Sequence, residues 1–144
     1  MPTRTAEANW GGSLMEGKGT LSTGSKAFSG PYDWKSRSGE GSTTNPEELL
    51  AAAHAGCLAT SVAGELTRAG TPPERIDVTA NIVMDEVEGK GHQIVESQVR
   101  VRVRVPGIEE DAFRRVVEEA DEGCPFSILI KASAKVSIDA ELEG

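Results

Sequence analysis

Val99, Val101, Val103 and Val105 alternate without exception with Arg100, Arg102 and Arg104. A period of two with one apolar and one charged face predicts a β-strand whose valines are buried and whose arginines stand in water. Upstream, Ile76, Val78, Ala80, Ile82 and Met84 alternate with Asp77, Thr79, Asn81 and Asp85, broken only at Val83. Glu88-Gly89-Lys90-Gly91 turns the chain between these runs, so together they predict a long antiparallel hairpin. Pro106-Gly107 ends it. Ile108, Phe113, Val116, Val117 and Ala120 then fall at helical spacing, with acids and arginines opposite, which predicts an amphipathic helix to about Glu122. Gly123-Cys124-Pro125 interrupts that helix. Pro125 suits the first turn of a new short helix over Phe126–Ile130, placing Cys124 at its N-terminal end. Val136, Ile138, Ala140 and Leu142 against Lys135, Ser137, Asp139 and Glu141 predict a final strand.

The central segment has a different pattern. Thr43-Thr44-Asn45-Pro46-Glu47-Glu48 combines a capping Asn or Thr, proline at the first helical position and acids in the first turn, so a helix starts there. From Leu49 to Gly64 no Asp, Glu, Lys or Arg occurs, and the absent charged face predicts a helix buried nearly all round. Arg68 in the last turn and Gly70 mark its end. Before Pro46 the chain holds eight of its 16 glycines among Ser, Thr and short extended runs. Thr3–Trp10, Ser13–Thr23 and Lys26–Phe28 read as strands, and Gly30–Asn45, without periodicity, as a loop long enough to be functional or disordered.

Strands, buried helix, hairpin, amphipathic helix and strand make an α+β protein with antiparallel sheet. At 144 residues and 38% hydrophobic composition the chain is expected to form a single domain, residues 1–144, with an ordinary core. One small sheet cannot cover a helix with no polar face, so a second copy of the chain is expected to cover the rest, as a homodimer.

Fifteen basic against 23 acidic residues, a net charge of −8, argue against nucleic acid and anionic membrane partners. The N-terminal segment has no signal-peptide core, and no stretch approaches the roughly 18 uninterrupted apolar residues of a membrane span, so a cytoplasmic location is expected. Two cysteines are too few for a secreted disulfide scaffold, which makes Cys57 and Cys124 the first candidates for chemistry. Cys57, in mid-helix, could equally be inert core. Cys124, at a helix start, sits where thiolates are favoured. A zinc site from Cys57, Cys124, His54 and His92 lacks the paired ligand spacing of structural sites. His54, three residues before Cys57, permits a Cys-His dyad, although a buried, hydrogen-bonded histidine is the simpler reading. His92 reads as solvated. Arg37, with Glu47 or Glu48, offers the positive charge and orienting carboxylate that a reactive thiolate needs, against the default of a surface arginine and helix-start acids.

PYDWKSRSGEGSTTNPEELLAAAHAGCLATSV (residues 31–62) and VPGIEEDAFRRVVEEADEGCP (residues 105–125) closely resemble the osmotically inducible and organic hydroperoxide resistance (OsmC/Ohr) family of bacterial thiol peroxidases. T-N-P-E-E-L, A-A-H-A-x-C and G-C-P carry the likeness; the histidine before the first cysteine and the PY...R loop resemble the OsmC branch more than the Ohr branch. The resemblance implies an intertwined homodimer, with antiparallel sheets wrapped around buried central helices and two active sites at the subunit interface. It matches Cys57 to the peroxide-attacking cysteine, Cys124 to the resolving cysteine, Arg37 to the OsmC-branch arginine and Glu47 to the carboxylate that holds it. Ser38-Gly39 stand where relatives often carry an aromatic.

The function implied is reduction of hydroperoxides, preferably organic. Cys57 becomes a sulfenic acid, Cys124 closes a disulfide, and an external dithiol, of lipoyl type by family resemblance, restores both. Arg37 is expected to stabilise the thiolate, with Glu47 fixing it through a bidentate pair. Both electrons come from the thiols, so no metal or organic cofactor is required. The rival readings are a thiol redox sensor or ligand-binding module without turnover, and a hydrolase or acyltransferase using Cys57 with His54.

Overall fold

The computed structural model describes residues 2–143 and divides into two compact units, one running to Leu49 and the other starting at Leu50. In the first, β1 (Ala6–Ala8), β2 (Gly19–Thr23) and β3 (Ser29–Tyr32) form an antiparallel sheet in that order. Trp10 and Tyr32 lie together with ring centroids 5.4 Å apart, and the Tyr32 hydroxyl donates to the Asn9 carbonyl at 3.0 Å. The expected strands shorten here. Ser13–Glu16 turns rather than extends, and the expected strand at Lys26–Phe28 is the β2–β3 turn, with Lys26 at φ 64° and β3 beginning one residue later.

The expected loop over residues 30–45 is ordered and contains a helix that its composition concealed, α1 (Trp34–Arg37). Asp33 caps it by accepting from the Ser36 N–H at 2.8 Å. The Ser36 hydroxyl donates to the Thr43 carbonyl, and the Glu40 and Gly41 N–H groups both return to the Lys35 carbonyl. A Cβ on Gly41 would sit 2.6 Å from the Ser36 nitrogen, so only glycine fits that closure.

The long helix α2 (Pro46–Arg68) starts where its capping signals predict. The Asn45 side chain accepts from the Glu48 N–H at 2.7 Å, with Pro46 as the first helical residue. It ends at Arg68, followed by Gly70 at φ 82°, in the left-handed conformation that a helix stop needs.

In the second unit β4 (Arg75–Val87), β5 (Gly91–Arg104) and β6 (Lys135–Glu143) form a sheet in that order. The β4–β5 hairpin is antiparallel as expected. Where the β4 alternation breaks at Val83, the ladder shifts between Val83 and Met84 and leaves Val95 unpaired. β6, by contrast, runs parallel to β5, so this sheet is mixed rather than purely antiparallel. The chain reaches it through the crossover formed by α3 (Glu110–Gly123) and α4 (Pro125–Lys131), long enough to carry the strand back in the same direction. On the outer face Arg102 pairs with Glu143 at 2.6 Å and with Glu141 at 3.5 Å, between Arg100 and Arg104, a solvated ladder.

The inner valines, Val99, Val101, Val103 and Val105, meet Phe113, Val116, Val117 and Ala120 of α3 and Leu58, Val62 and Leu66 of α2 in one core. The α3 core face is the one its spacing predicts. Within the single chain only His54, Leu58, Val62 and Leu66 of α2 are buried, a stripe four residues apart, while Ala52, Gly56 and Thr60 are exposed. One three-stranded sheet covers one face of a helix and no more. With mean hydropathy 1.3 over 18 residues, α2 has the length and composition of a membrane span. Its buried, doubly hydrogen-bonded His54 and its leucines in the core mark it as a core helix of this fold.

Candidate active site

The structure brings the sequence-predicted residues together as two pairs, each within its own unit. Arg37, the last residue of α1, donates from Nη2 at 2.6 Å and from Nε at 3.2 Å to Glu47 Oε1, in the first turn of α2. The guanidinium carbon lies 6.0 Å from the Trp34 ring. The expected bidentate fork is therefore a two-donor grip on one oxygen. The other oxygen, Oε2, is buried and has no partner among the described residues. Glu48, the alternative carboxylate, accepts instead from the Thr44 hydroxyl at 2.9 Å.

Cys57 of α2 and Cys124, which stands between α3 and α4 and caps the latter, are free thiols with sulfurs 3.2 Å apart. Cys124 is 0% exposed, and Cys57 is half-buried. The Cys57 thiol is pushed up by burial and by Cys124 beside it, against the Phe126 N–H and the Ser61 hydroxyl, which favour its thiolate. Burial also raises Cys124, but the Ser127 N–H, Cys57, the Ser127 hydroxyl and the Phe126 N–H together outweigh it and bring this thiol down. With the sulfurs 3.2 Å apart, the two thiols titrate as a pair.

His54 makes no dyad with Cys57. Its Nδ1 lies 2.7 Å from the Ser97 hydroxyl of β5, and its Nε2 2.8 Å from the Ser127 hydroxyl of α4; all three residues are buried. Burial lowers its pKa, with Asp121 raising and Lys131 lowering it as smaller influences. Both ring nitrogens are engaged, which also removes His54 from any metal set, and His92 is exposed on β5. Ser61, Ser97 and Ser127 were not singled out by sequence. Ser61 alone left a signal, four residues after Cys57 on the same helix.

A small α+β chain in which two helices converge on a reduced cysteine pair belongs, as a class, to the dithiol proteins. Comparison with known proteins places it more closely. Residues 39–139 match the OsmC-like protein family. The peroxiredoxin OsmC of Escherichia coli K12 is 36% identical over 141 residues, covering 97% of this chain and 96% of that protein. An organic hydroperoxide resistance protein of Xanthomonas axonopodis pv. citri is 26% identical over 99 residues, 68% of this chain and 67% of that protein. In fold the chain is similar to an organic hydroperoxide resistance protein from Elizabethkingia anophelis, with TM-score 0.77 and 19% identity over 99% of both chains. The OsmC organic hydroperoxide resistance protein of Legionella pneumophila gives 0.74 and 22%, over 95% of this chain and 96% of that one. The chain belongs to the OsmC-like family.

Proposed function

We infer that this protein is a cysteine-based peroxidase that reduces hydroperoxides, organic ones by preference, and that its two units act as one OsmC-like domain, residues 1–144. The observation that carries the reading is the 3.2 Å approach of two free sulfurs from elements far apart in sequence, close enough to become a disulfide after a small side-chain shift. Family membership and the names of the relatives support the substrate class.

In this reading Cys57 attacks a peroxide oxygen, the O–O bond breaks, alcohol or water leaves, and Cys57 becomes a sulfenic acid. Its partial exposure supports the attacking role, since a peroxide has no path to a sulfur that is 0% exposed, as Cys124 is. Attack needs Cys57 as its thiolate, which burial of the sulfur disfavours, so Arg37 is assigned to stabilise it. The Arg37 guanidinium, matched by the family motif, also stabilises the charge on the leaving oxygen. Glu47 orients that guanidinium. Cys124 then closes the disulfide, and an external dithiol of lipoyl type reopens it by exchange.

A homodimer in the cytoplasm completes the proposal, supported by the charge-free α2 surface that one chain leaves uncovered. Light scattering at micromolar concentration should give about twice 15.2 kDa, and a persistent monomer would exclude the dimer. The central test is an anaerobic thiol count before and after one equivalent of an organic hydroperoxide. Wild type should lose two thiols per chain and recover them with dithiol over many cycles, which a sensor without turnover would not do. Cys124→Ser should consume one equivalent and stop at an oxidised Cys57.

A further inference from the structure

The half-buried Asn45 side chain makes two contacts inside the first unit, and its capping role uses only one of them. Its Oδ1 accepts from the Glu48 N–H at 2.7 Å, while its Nδ2 donates at 3.2 Å to the Ser36 carbonyl, nine residues upstream. A backbone N–H can only donate and a backbone carbonyl can only accept. The two contacts together therefore fix which end of the amide is oxygen and which is nitrogen. A helix start needs only the oxygen, which Ser or Asp supplies as well as Asn. The donor arm is left for another task.

We propose that Asn45 is a positioning residue for Arg37: a single amide fixes the start of α2, which carries Glu47, and the end of α1, which carries Arg37, and so holds the guanidinium in register with its carboxylate. The proposal rests on the role given above to Arg37 in peroxide reduction.

α1 is a single turn of four residues, too short to sustain itself, and one turn leaves its last carbonyls short of intrahelical partners. Ser36, 7% exposed, is therefore held from three directions. Its N–H goes to Asp33, its hydroxyl to the Thr43 carbonyl, and its own carbonyl is met by Asn45. The first two close the loop on itself, whereas the third ties α1 to the start of α2. The Ser36 carbonyl belongs to the same peptide plane as the Arg37 nitrogen, so fixing it aims the backbone from which the arginine side chain departs. On the other side only Pro46, with its locked φ, separates Asn45 from Glu47. The ion pair cannot do this alone. With the arginine 41% exposed it is screened, and it must also restrain a long side chain.

Stopped-flow peroxide consumption, disulfide formation and urea midpoints of the full-length protein separate tether from cap. Asn45→Ser keeps the capping oxygen and lacks the amide; Asn45→Asp keeps the cap and the shape but presents an oxygen to the Ser36 carbonyl. Both should stay close to the wild-type urea midpoint and slow peroxide consumption about 10-fold, as a displaced catalytic group does. Both should also move the pH profile of that step upward, because a displaced guanidinium supports the Cys57 thiolate less. Disulfide formation after one equivalent of peroxide should keep its rate. Asn45→Ala, which loses the cap as well, should unfold at lower urea yet consume peroxide no more slowly than Asn45→Ser. In an Arg37→Met background Asn45→Ser should add no further slowing. Wild-type rates and pH profiles in both Asn45→Ser and Asn45→Asp would overturn the proposal. So would slowing that follows the urea midpoint across the three variants, the mark of capping alone, or an undiminished Asn45→Ser effect in the Arg37→Met background. Peroxide consumption at the wild-type rate in Arg37→Met itself would instead overturn the arginine role beneath it.

Discussion

Arg37 and Glu47 are ten residues apart and meet through a loop whose turns are specified nearby, by Asp33, Ser36 and Gly41; Cys57 and Cys124 are 67 residues apart and meet where two distant helices converge. The first pair is partly open to water, the arginine 41% and the glutamate 17% exposed in their side chains. The second is more enclosed, with Cys124 0% exposed and Cys57 half-buried, and nearby N–H groups and hydroxyls act on its ionisation. A partly exposed ion pair is screened and contributes little to stability. A shielded thiol pair responds to every nearby dipole, because little solvent competes with them.

The largest expected effect falls on the shielded pair. Cys57→Ser should abolish peroxide consumption and leave the fold intact, since serine is close in size and the site is only half-buried; activity against an organic hydroperoxide, with circular dichroism as control, checks both. Arg37→Met acts on the oriented charge. Peroxide consumption should fall about 100-fold, as on loss of one preorganised donor, while the disulfide still forms; stopped-flow rates would show it. An unchanged rate would remove Arg37 from the site.

A smaller effect sharpens the electrostatic contrast. His54 has its folded-state pKa below the usual 6.5 because burial disfavours the imidazolium. The stability that its neutrality contributes is therefore present above 6.5 and lost as pH falls through the lower folded value. Urea midpoints of the reduced protein should drop between pH ~7.5 and ~5.5, and His54→Gln should flatten that slope. The least effect belongs to the solvated ladder of β5. Arg102→Gln should change stability by less than about 1 kcal/mol and leave peroxide reduction untouched, as chemical denaturation and activity would report.

Legibility in the sequence followed the range of the interaction. The α3 core face, the β5 alternation, the α2 start at Asn45-Pro46 and the position of Cys124 ahead of Pro125 were all readable, because each is set by periodicity or by a cap within one turn. α1 was hidden, because a single turn has no periodicity and its closure depends on contacts up to seven residues apart. Ser97 and Ser127 were hidden for a stronger reason. They lie 43 and 73 residues from His54, and nothing in a lone serine distinguishes a buried hydrogen-bond partner from a surface residue.

By itself the sequence determined the α+β class and the central helix, since local propensity and spacing are written into adjacent residues, while its resemblance to the OsmC/Ohr family pointed to Cys57, Cys124, Arg37 and Glu47. Only the tertiary structure decided that β6 runs parallel to β5, that α2 buries just one stripe within its own chain, that Arg37 grips a single oxygen of Glu47, and that two buried serines hold His54. Those outcomes depend on which surfaces meet after collapse, and hydroxyls and sulfurs acquire their direction and ionisation from neighbours that the chain order does not reveal.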